Sequence, residues 1–561
     1  MKRTIIIAVV CLTLGLLVWV FAQQPPSAPV DLSLLTPAGP LLYLEAKDFG
    51  SLLRDWNGSQ EKQLWLASDD FQVFSRSRLF LKLQQAQTEF ATAAGLPPNM
   101  DLLNNVAGSQ SAIAIYDIGK LEFLYITRLS SDRFAGGALW KLRGNYQLRQ
   151  SSGIDYYVKT DPTTKRFAGF AVAKDFVILA TREDVLAGAL SLVSGQIGPN
   201  ISGESWFAKA AAEAQTRGEL RMVMNFDKLS KSPHFRSYWV QQNITELKQY
   251  SSAIADAGRA AGELRENRVL IRGAEITPAW NEAAVAEVSR FAPASAGIYR
   301  AWASPTSAQT FELIRKKLLD PRPAAPPVAT TAPVVALGNG AVGDEADLET
   351  RIDEPTLETG DKTIGVELQR LLDSTRLEAM LAVGSSRVQQ DGVFVGTDSA
   401  IALLADSDWN LATTRDAISS ALAGRLSTGQ IGLQWQNRGL YSELDGLASL
   451  ALATRGRTLV IASNRTLLEE MLAAGSQQPK NPPARYAAAY RHSKELPNFV
   501  KMMRLIDYPL AKDAGQNPPE PAFFSGNIAS LGQALARIDS ESIVVHDTGA
   551  KVTESVVYRM K

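Results

Sequence analysis

Residues Thr4 to Ala22 form an uncharged apolar run directly after Met1, Lys2 and Arg3. A run of that length spans a bilayer as a helix, and basic residues before it hold that end in the cytoplasm. The rest of the chain is therefore expected outside the cytoplasm. Two outcomes stay open for residues 1–23. Val20-Phe21-Ala22 before Gln23 suits secretory cleavage, which would leave a secreted or periplasmic protein. The run is longer than the roughly 7–15 residues of a signal core, and Trp19 stands near its end, as in an uncleaved anchor. An anchor would hold the chain in the inner membrane of a bacterium through residues 4–22, with its bulk facing the periplasm or exterior.

Cys11, the only cysteine, lies inside this run. Disulfides, thiolate metal ligands and cysteine nucleophiles are thus excluded from everything downstream. The exported part must hold itself together by burial, and 561 residues with 45% apolar and 21% charged side chains suffice for two or more cores. Lys plus Arg and Asp plus Glu both total 58, so no net positive field draws the chain to phosphate backbones, and nucleic acid is not an expected partner.

Breaks divide the chain. Residues 24–36 open with Gln24-Pro25-Pro26 and read as an extended tether. Residues 321–361 begin Pro321-Arg322-Pro323 and turn rich in Gly, Asp and Glu, which predicts a disordered insertion. Gly475 to Pro483 reads as a further loop.

Between the breaks, strands alternate with amphipathic helices, and features recur in order. Pro37 precedes the strand Leu41-Leu42-Tyr43-Leu44-Glu45 as Pro293 precedes Gly297-Ile298-Tyr299-Arg300-Ala301. Ser111-Ala112-Ile113-Ala114 recurs as Ser399-Ala400-Ile401-Ala402. Phe176 to Thr181 leads into a helix with Val185, Leu186 and Leu190, as Thr458 to Ser463 leads into Leu467, Leu468 and Leu472. Pro233-His234-Phe235 answers Pro497-Asn498-Phe499. Each half is expected to finish with a strand pair: Ser542–His546 with Lys551–Arg559 around Asp547-Thr548-Gly549, and Val269–Ile276 with Ala283–Val288. Turns this short demand antiparallel neighbours. The expected fold is α+β: two copies of a mixed module with mainly antiparallel sheets and packed helices, at residues 37–290 and 291–561.

The Pro-led apolar-Tyr strand, the export segment and the internal repeat resemble an uncharacterised family of exported bacterial envelope proteins, a domain of unknown function. The resemblance is one of patterning. It implies compartment and fold, and brings no active site with it.

Chemistry-bearing constellations are sparse. His234, His492 and His546 lack the spacing of a zinc site. Gly198 to Ser205 approaches a phosphate loop, but Glu204 stands where a lysine is needed, so it reads as loop. Asp406 and Asp408 align with Asp117-Ile118-Gly119-Lys120, a turn composition, and Asp69-Asp70 reads as a helix cap. No catalytic residue, metal or cofactor is expected. The remaining candidates are Phe235 and Trp239 in the first half and Phe499, Met502 and Met503 in the second, at helical spacing. Such stripes pack a core, or line a groove for a lipid chain or an envelope protein. The expected function is non-enzymatic binding or scaffolding outside the cytoplasm. The alternatives are a carboxylate-dependent glycan hydrolase and a carrier for a lipid-like ligand.

Overall fold

The computed structural model describes residues 30–67, 71, 75–76, 78–96, 100–214, 217–232, 247–319, 365–388, 395–426, 434–445, 449–477, 482–498 and 537–561. The apolar N-terminal run, the insertion at 321–361, and Phe235, Trp239, Phe499, Met502 and Met503 lie outside these residues. Among the described residues no helix is long and apolar enough to cross a membrane. The chain is a mixed α+β protein whose strand pairings within each unit are antiparallel. It divides into two compact units: residues up to Arg54 with Gln85–Ala208, and Asp55–Gln84 with Lys209–Lys561.

The first unit is built on β1 (Leu42–Ala46), β2 (Ser111–Asp117), β3 (Glu122–Arg128), β4 (Gln147–Ser151), β5 (Ile154–Thr160), β6 (Phe167–Ala173) and β7 (Phe176–Ala180). Their order across the sheet is β1-β2-β3-β7-β6-β5-β4. Period-two alternation sends successive side chains to opposite faces. Val177 and Leu179 join Phe134, Tyr146 and Phe170 in one core. The opposite face carries helix α1 (Glu183–Ser194), which buries Val185, Leu186, Ala189, Leu190 and Val193 and packs on β6 and β7. The approach is close at Gly169 of β6, where a Cβ would stand 2.8 Å from Leu186 Cδ2.

The sheet of the second unit begins with β8 (Leu220–Asn225), β9 (Tyr250–Ala260) and β10 (Glu263–Arg272), followed by helix α2 (Glu282–Ser289). Next come β11 (Ile298–Ala303), helices α3 (Ser307–Ile314) and α4 (Val366–Asp373), β12 (Leu377–Val388) and β13 (Val395–Ala405). Helix α5 (Leu411–Leu426) precedes β14 (Gln434–Asn437), β15 (Ser442–Asp445), β16 (Leu450–Arg455) and β17 (Thr458–Ala462). Helix α6 (Arg465–Ala474), β18 (Tyr486–Tyr490), β19 (Ile538–Asp547) and β20 (Lys551–Met560) complete it. The order is β8-β9-β10-β20-β19-β18-β11-β12-β13-β17-β16-β15-β14. Alternation along β13 makes both cores at once. Ala400, Ala402 and Leu404 share a cluster with α2 and α6, whereas Ile401, Leu403 and Ala405 share one with α3, α4 and α5. Leu468 and Met471 of α6 are fully buried, each worth about 1.5–3 kcal/mol of transfer free energy.

Three expectations change. Ala283–Val288 is not a strand but part of α2, started by Asn281, whose side chain accepts from Ala283 N. The strand paired in the hairpin with β10 is β9, which precedes it, around Gly262 at φ 73°. The shared tetrapeptides also part company: Ser111–Ala114 lies in β2, the neighbour of β1, while Ser399–Ala402 lies in β13, which pairs with β12 and β17 rather than β11. The Asp547-Thr548-Gly549 turn does join β19 to β20.

Candidate functional site

In the second unit an open cleft of about 600 Å³ lies between the β14–β15 hairpin, the end of β16 and α6. Its walls carry Arg438, Leu440, Tyr441, Arg455, Arg465, Glu469 and Ser476. Arg465, Glu469, Leu472, Ala473 and Ser476 reach it together because positions four, seven, eight and eleven apart fall on one helix face. Asn464 starts the helix by accepting from Leu467 N at 2.9 Å. The hairpin tip turns at Gly439, φ 83°, which sets Arg438 and Tyr441 on opposite limbs and leaves Leu440 77% exposed.

Each guanidinium has a different share of neutralisation. Arg438 Nε donates to Glu443 Oε2 at 3.0 Å, and Arg465 Nε donates to Glu469 Oε1 at 2.9 Å. Tyr441 OH donates to the same Glu469 oxygen at 2.9 Å. The hydrogen bond from Arg465, then that from Tyr441, holds the Glu469 carboxyl below its ordinary range. Arg455 meets only neutral acceptors: its Nη1 donates to Leu472 O at 3.1 Å and Ser476 Oγ at 2.9 Å, beside the C-terminal end of α6. Among the described residues no carboxylate pairs with it. Among the described residues three arginines thus face two carboxylates, Glu443 and Glu469, and one positive charge is left in excess.

The first unit holds a related corner with the opposite filling. There α1 begins at Glu183, three residues after the end of β7, as α6 begins at Arg465, three residues after the end of β17. Arg149 of β4 donates from Nη1 to both Glu183 oxygens, at 2.5 and 2.6 Å, and Tyr156 of β5 donates to Oε1 at 2.9 Å. Arg149 foremost, helped by Tyr156, lowers the Glu183 carboxyl from its ordinary value against the effect of burial. Lys174 Nζ donates to Val193 O near the end of α1, as Arg455 does near the end of α6. This corner is occupied by the protein's own carboxylate.

The other sequence candidates are placed as follows. His492 Nε2 stands 3.5 Å from Glu541 Oε2, near the start of β19, and His546 Nδ1 stands 3.1 Å from Glu282 Oε2, near its end. Glu541 and His546 are five strand positions apart, roughly 17 Å at the rise of an extended chain, so the two histidines do not converge; His234 lies outside the described residues. Among the described residues no three His, Cys, Asp or Glu side chains are grouped to hold a metal ion. Asp117 turns β2 into β3 and accepts from Lys120 N, whereas Asp406 and Asp408 follow β13 and precede α5, so the two acidic stretches are not equivalent. Gly198 to Glu204 is a loop with one 3-10 turn, Ile201–Gly203, capped by Asn200, and Ser205 opens the helix Ser205–Ala212. Asp69 and Asp70 lie outside the described residues. Sequence reasoning passed over the arginine cleft, although the charge reversal between Glu183 and Arg465 stood in segments it had already aligned.

No known protein family matches the chain, and no curated protein sequence does. Among solved structures it is similar to crystal forms I and III of TP0453, at 12% identity over 45% of this chain. The match covers 83% and 84% of those chains, with TM-scores of 0.25 and 0.24.

Proposed function

We propose that this chain is a non-enzymatic binding protein of the bacterial envelope, exported by its N-terminal apolar run and made of two copies of one α+β module, with an anionic ligand held in the second copy. The observation that carries the binding reading is the excess positive charge of the open cleft at Arg438, Arg455 and Arg465. A charged, open cleft suits a polar anion better than an acyl chain. The glycan-hydrolase alternative needs an acid of raised pKa beside a second carboxylate. Glu469, the carboxylate lining this cleft, is shifted the other way.

Two-copy architecture is supported by strand order: β1-β2-β3-β7-β6-β5-β4 has the same sequence of connections as β11-β12-β13-β17-β16-β15-β14. Strands β8 and β18, with the hairpins β9–β10 and β19–β20 that they pair with, extend the parallel to ten strands each. A left-handed residue two before β7, Lys174 at φ 55°, is answered by Gly456 at φ 53° two before β17. Export rests on the sequence alone, as does the groove reading at Phe235, Trp239, Phe499, Met502 and Met503.

Thermal unfolding of the full chain at low salt, with a panel of small anions and neutral sugars, tests the reading. A melting temperature raised by anions and not by neutral sugars, with the effect fading as salt is added, is the expected result. Release of soluble fragments from cell-wall glycan by the purified chain would replace binding with hydrolysis. A reporter fused after Lys561 should be active only outside the cytoplasm, and cytoplasmic activity would remove the envelope from the proposal.

A further inference from the structure

We infer that the group bound in the second unit's cleft is a carboxylate, and that it takes there the part that Glu183 plays in the first unit. The inference rests on the anion-binding reading and names its ligand chemistry. In both units a hairpin arginine, a tyrosine hydroxyl and the first residue of the following helix meet at one corner. In the first unit the helix residue is Glu183, and its two oxygens take the forked geometry that suits a guanidinium. In the second unit the same helix position is Arg465, the hairpin supplies Arg438, and Tyr441 remains. At that helix position a cation stands in place of an anion, and Tyr441 and Arg465 donate instead to Glu469, one turn further along the helix.

The donors of the cleft are free enough to be used. Arg465 and Glu469 form an exposed pair one helical turn apart, with side chains 55% and 46% accessible. Such a pair is weak and exchanges readily for another anion. Arg455 offers a second guanidinium whose described partners, Leu472 O and Ser476 Oγ, are both reached from a single nitrogen, Nη1. A carboxylate seated between Arg455 and Arg465 would neutralise the excess charge, and a cleft of about 600 Å³ has room for the body of a small molecule that carries it. Leu440 at the rim offers that body an apolar contact.

Calorimetric titration of the full chain at low salt, with sodium glutarate and sodium phosphate as separate titrants, decides the matter. Glutarate should bind more tightly than phosphate. Arg465→Glu, which restores the first unit's own filling, should weaken glutarate by roughly tenfold or more, since it removes a hydrogen bond to a charged group. Arg465→Gln gives the same reading should the first variant fail to fold. Tighter binding of phosphate, lost on the same substitution, would overturn the carboxylate and leave the anion cleft standing. Binding of neither anion, or binding indifferent to Arg465, would overturn both.

Discussion

Arg272 at the end of β10 and Asp547 at the end of β19 form an ion pair of 2.6 Å, with side chains 4% and 0% exposed. The aspartate is held from several sides. Arg485 also donates to its Oδ2, Gly549 N donates to its Oδ1 at 3.0 Å, and its own backbone N–H donates to Glu282 at 2.9 Å. Trp280 Nε1 donates to its carbonyl at 3.2 Å, and the Arg485 guanidinium lies 4.1 Å from the Trp280 ring centroid. Two guanidiniums on one buried carboxylate tie β10, β18 and the β19–β20 turn together.

Removing one member of such a group strands the others. Asp547→Ala should destabilise the second unit by roughly 3–5 kcal/mol, because the buried Arg272 charge loses its counterion. Urea unfolding reads this directly, and a loss under about 1 kcal/mol would mean that water reaches Arg272 in solution.

The Glu183 corner predicts a pH dependence. Its folded carboxyl is shifted below the ordinary value of 4.5. The unfolded state therefore binds the proton first as pH falls. The corner's contribution is fully present above pH 4.5 and is lost as pH drops through the lower folded value. Glu183→Gln should remove that part of the acid limb, so that stability falls less steeply with acid than in the parent. An unchanged acid limb would show that Arg149 does not hold this carboxylate in solution.

Gly549 closes the β19–β20 turn at φ 86°, and a Cβ there would fall within the carbonyl oxygen of Ile276. Backbone cannot swing aside as a side chain can. Gly549→Ala should cost roughly 1–3 kcal/mol from left-handed strain, with the clash added to it. Gly262→Ala is the control: the β9–β10 turn has a similar φ of 73° but nothing near the new Cβ. The first substitution should lower the melting temperature more than the second.

Deletion of Arg322–Asp361 should leave the melting temperature within a few degrees of the parent. The segment lacks the apolar periodicity that would offset the entropy of ordering it. A drop of many degrees would make it part of the second unit's fold.

How far the sequence could be read follows from the range of the interactions involved. Strands β1, β7, β11, β17 and β20 were legible because alternation and turn residues act over a few positions. So were helices α1 and α6, whose buried leucines recur at helical spacing. Ala283–Val288 was misread because a short apolar run satisfies strand and helix patterns equally; the Asn281 cap and burial against β11–β13 made it α2. The five aromatic and methionine candidates, Phe235, Trp239, Phe499, Met502 and Met503, lie outside the described residues.

The sequence by itself determined elements such as β1, β7, α1 and α6, the absence of thiol chemistry after Cys11, and the opposite signs of Glu183 and Arg465. Tertiary structure alone decided which strands stand side by side. Ser111–Ala114 and Ser399–Ala402 share four letters yet occupy different places in the sheet, because strand order depends on contacts between distant segments. It also decided which charges meet: Arg272 finds Asp547 across 275 positions, and Arg455 gathers beside Arg465 from the neighbouring strand. The physical reason is one of range. Propensity, capping and alternation are settled within a turn or two of chain, whereas the partner of a buried charge and the lining of a cleft are settled only when the sheet has closed.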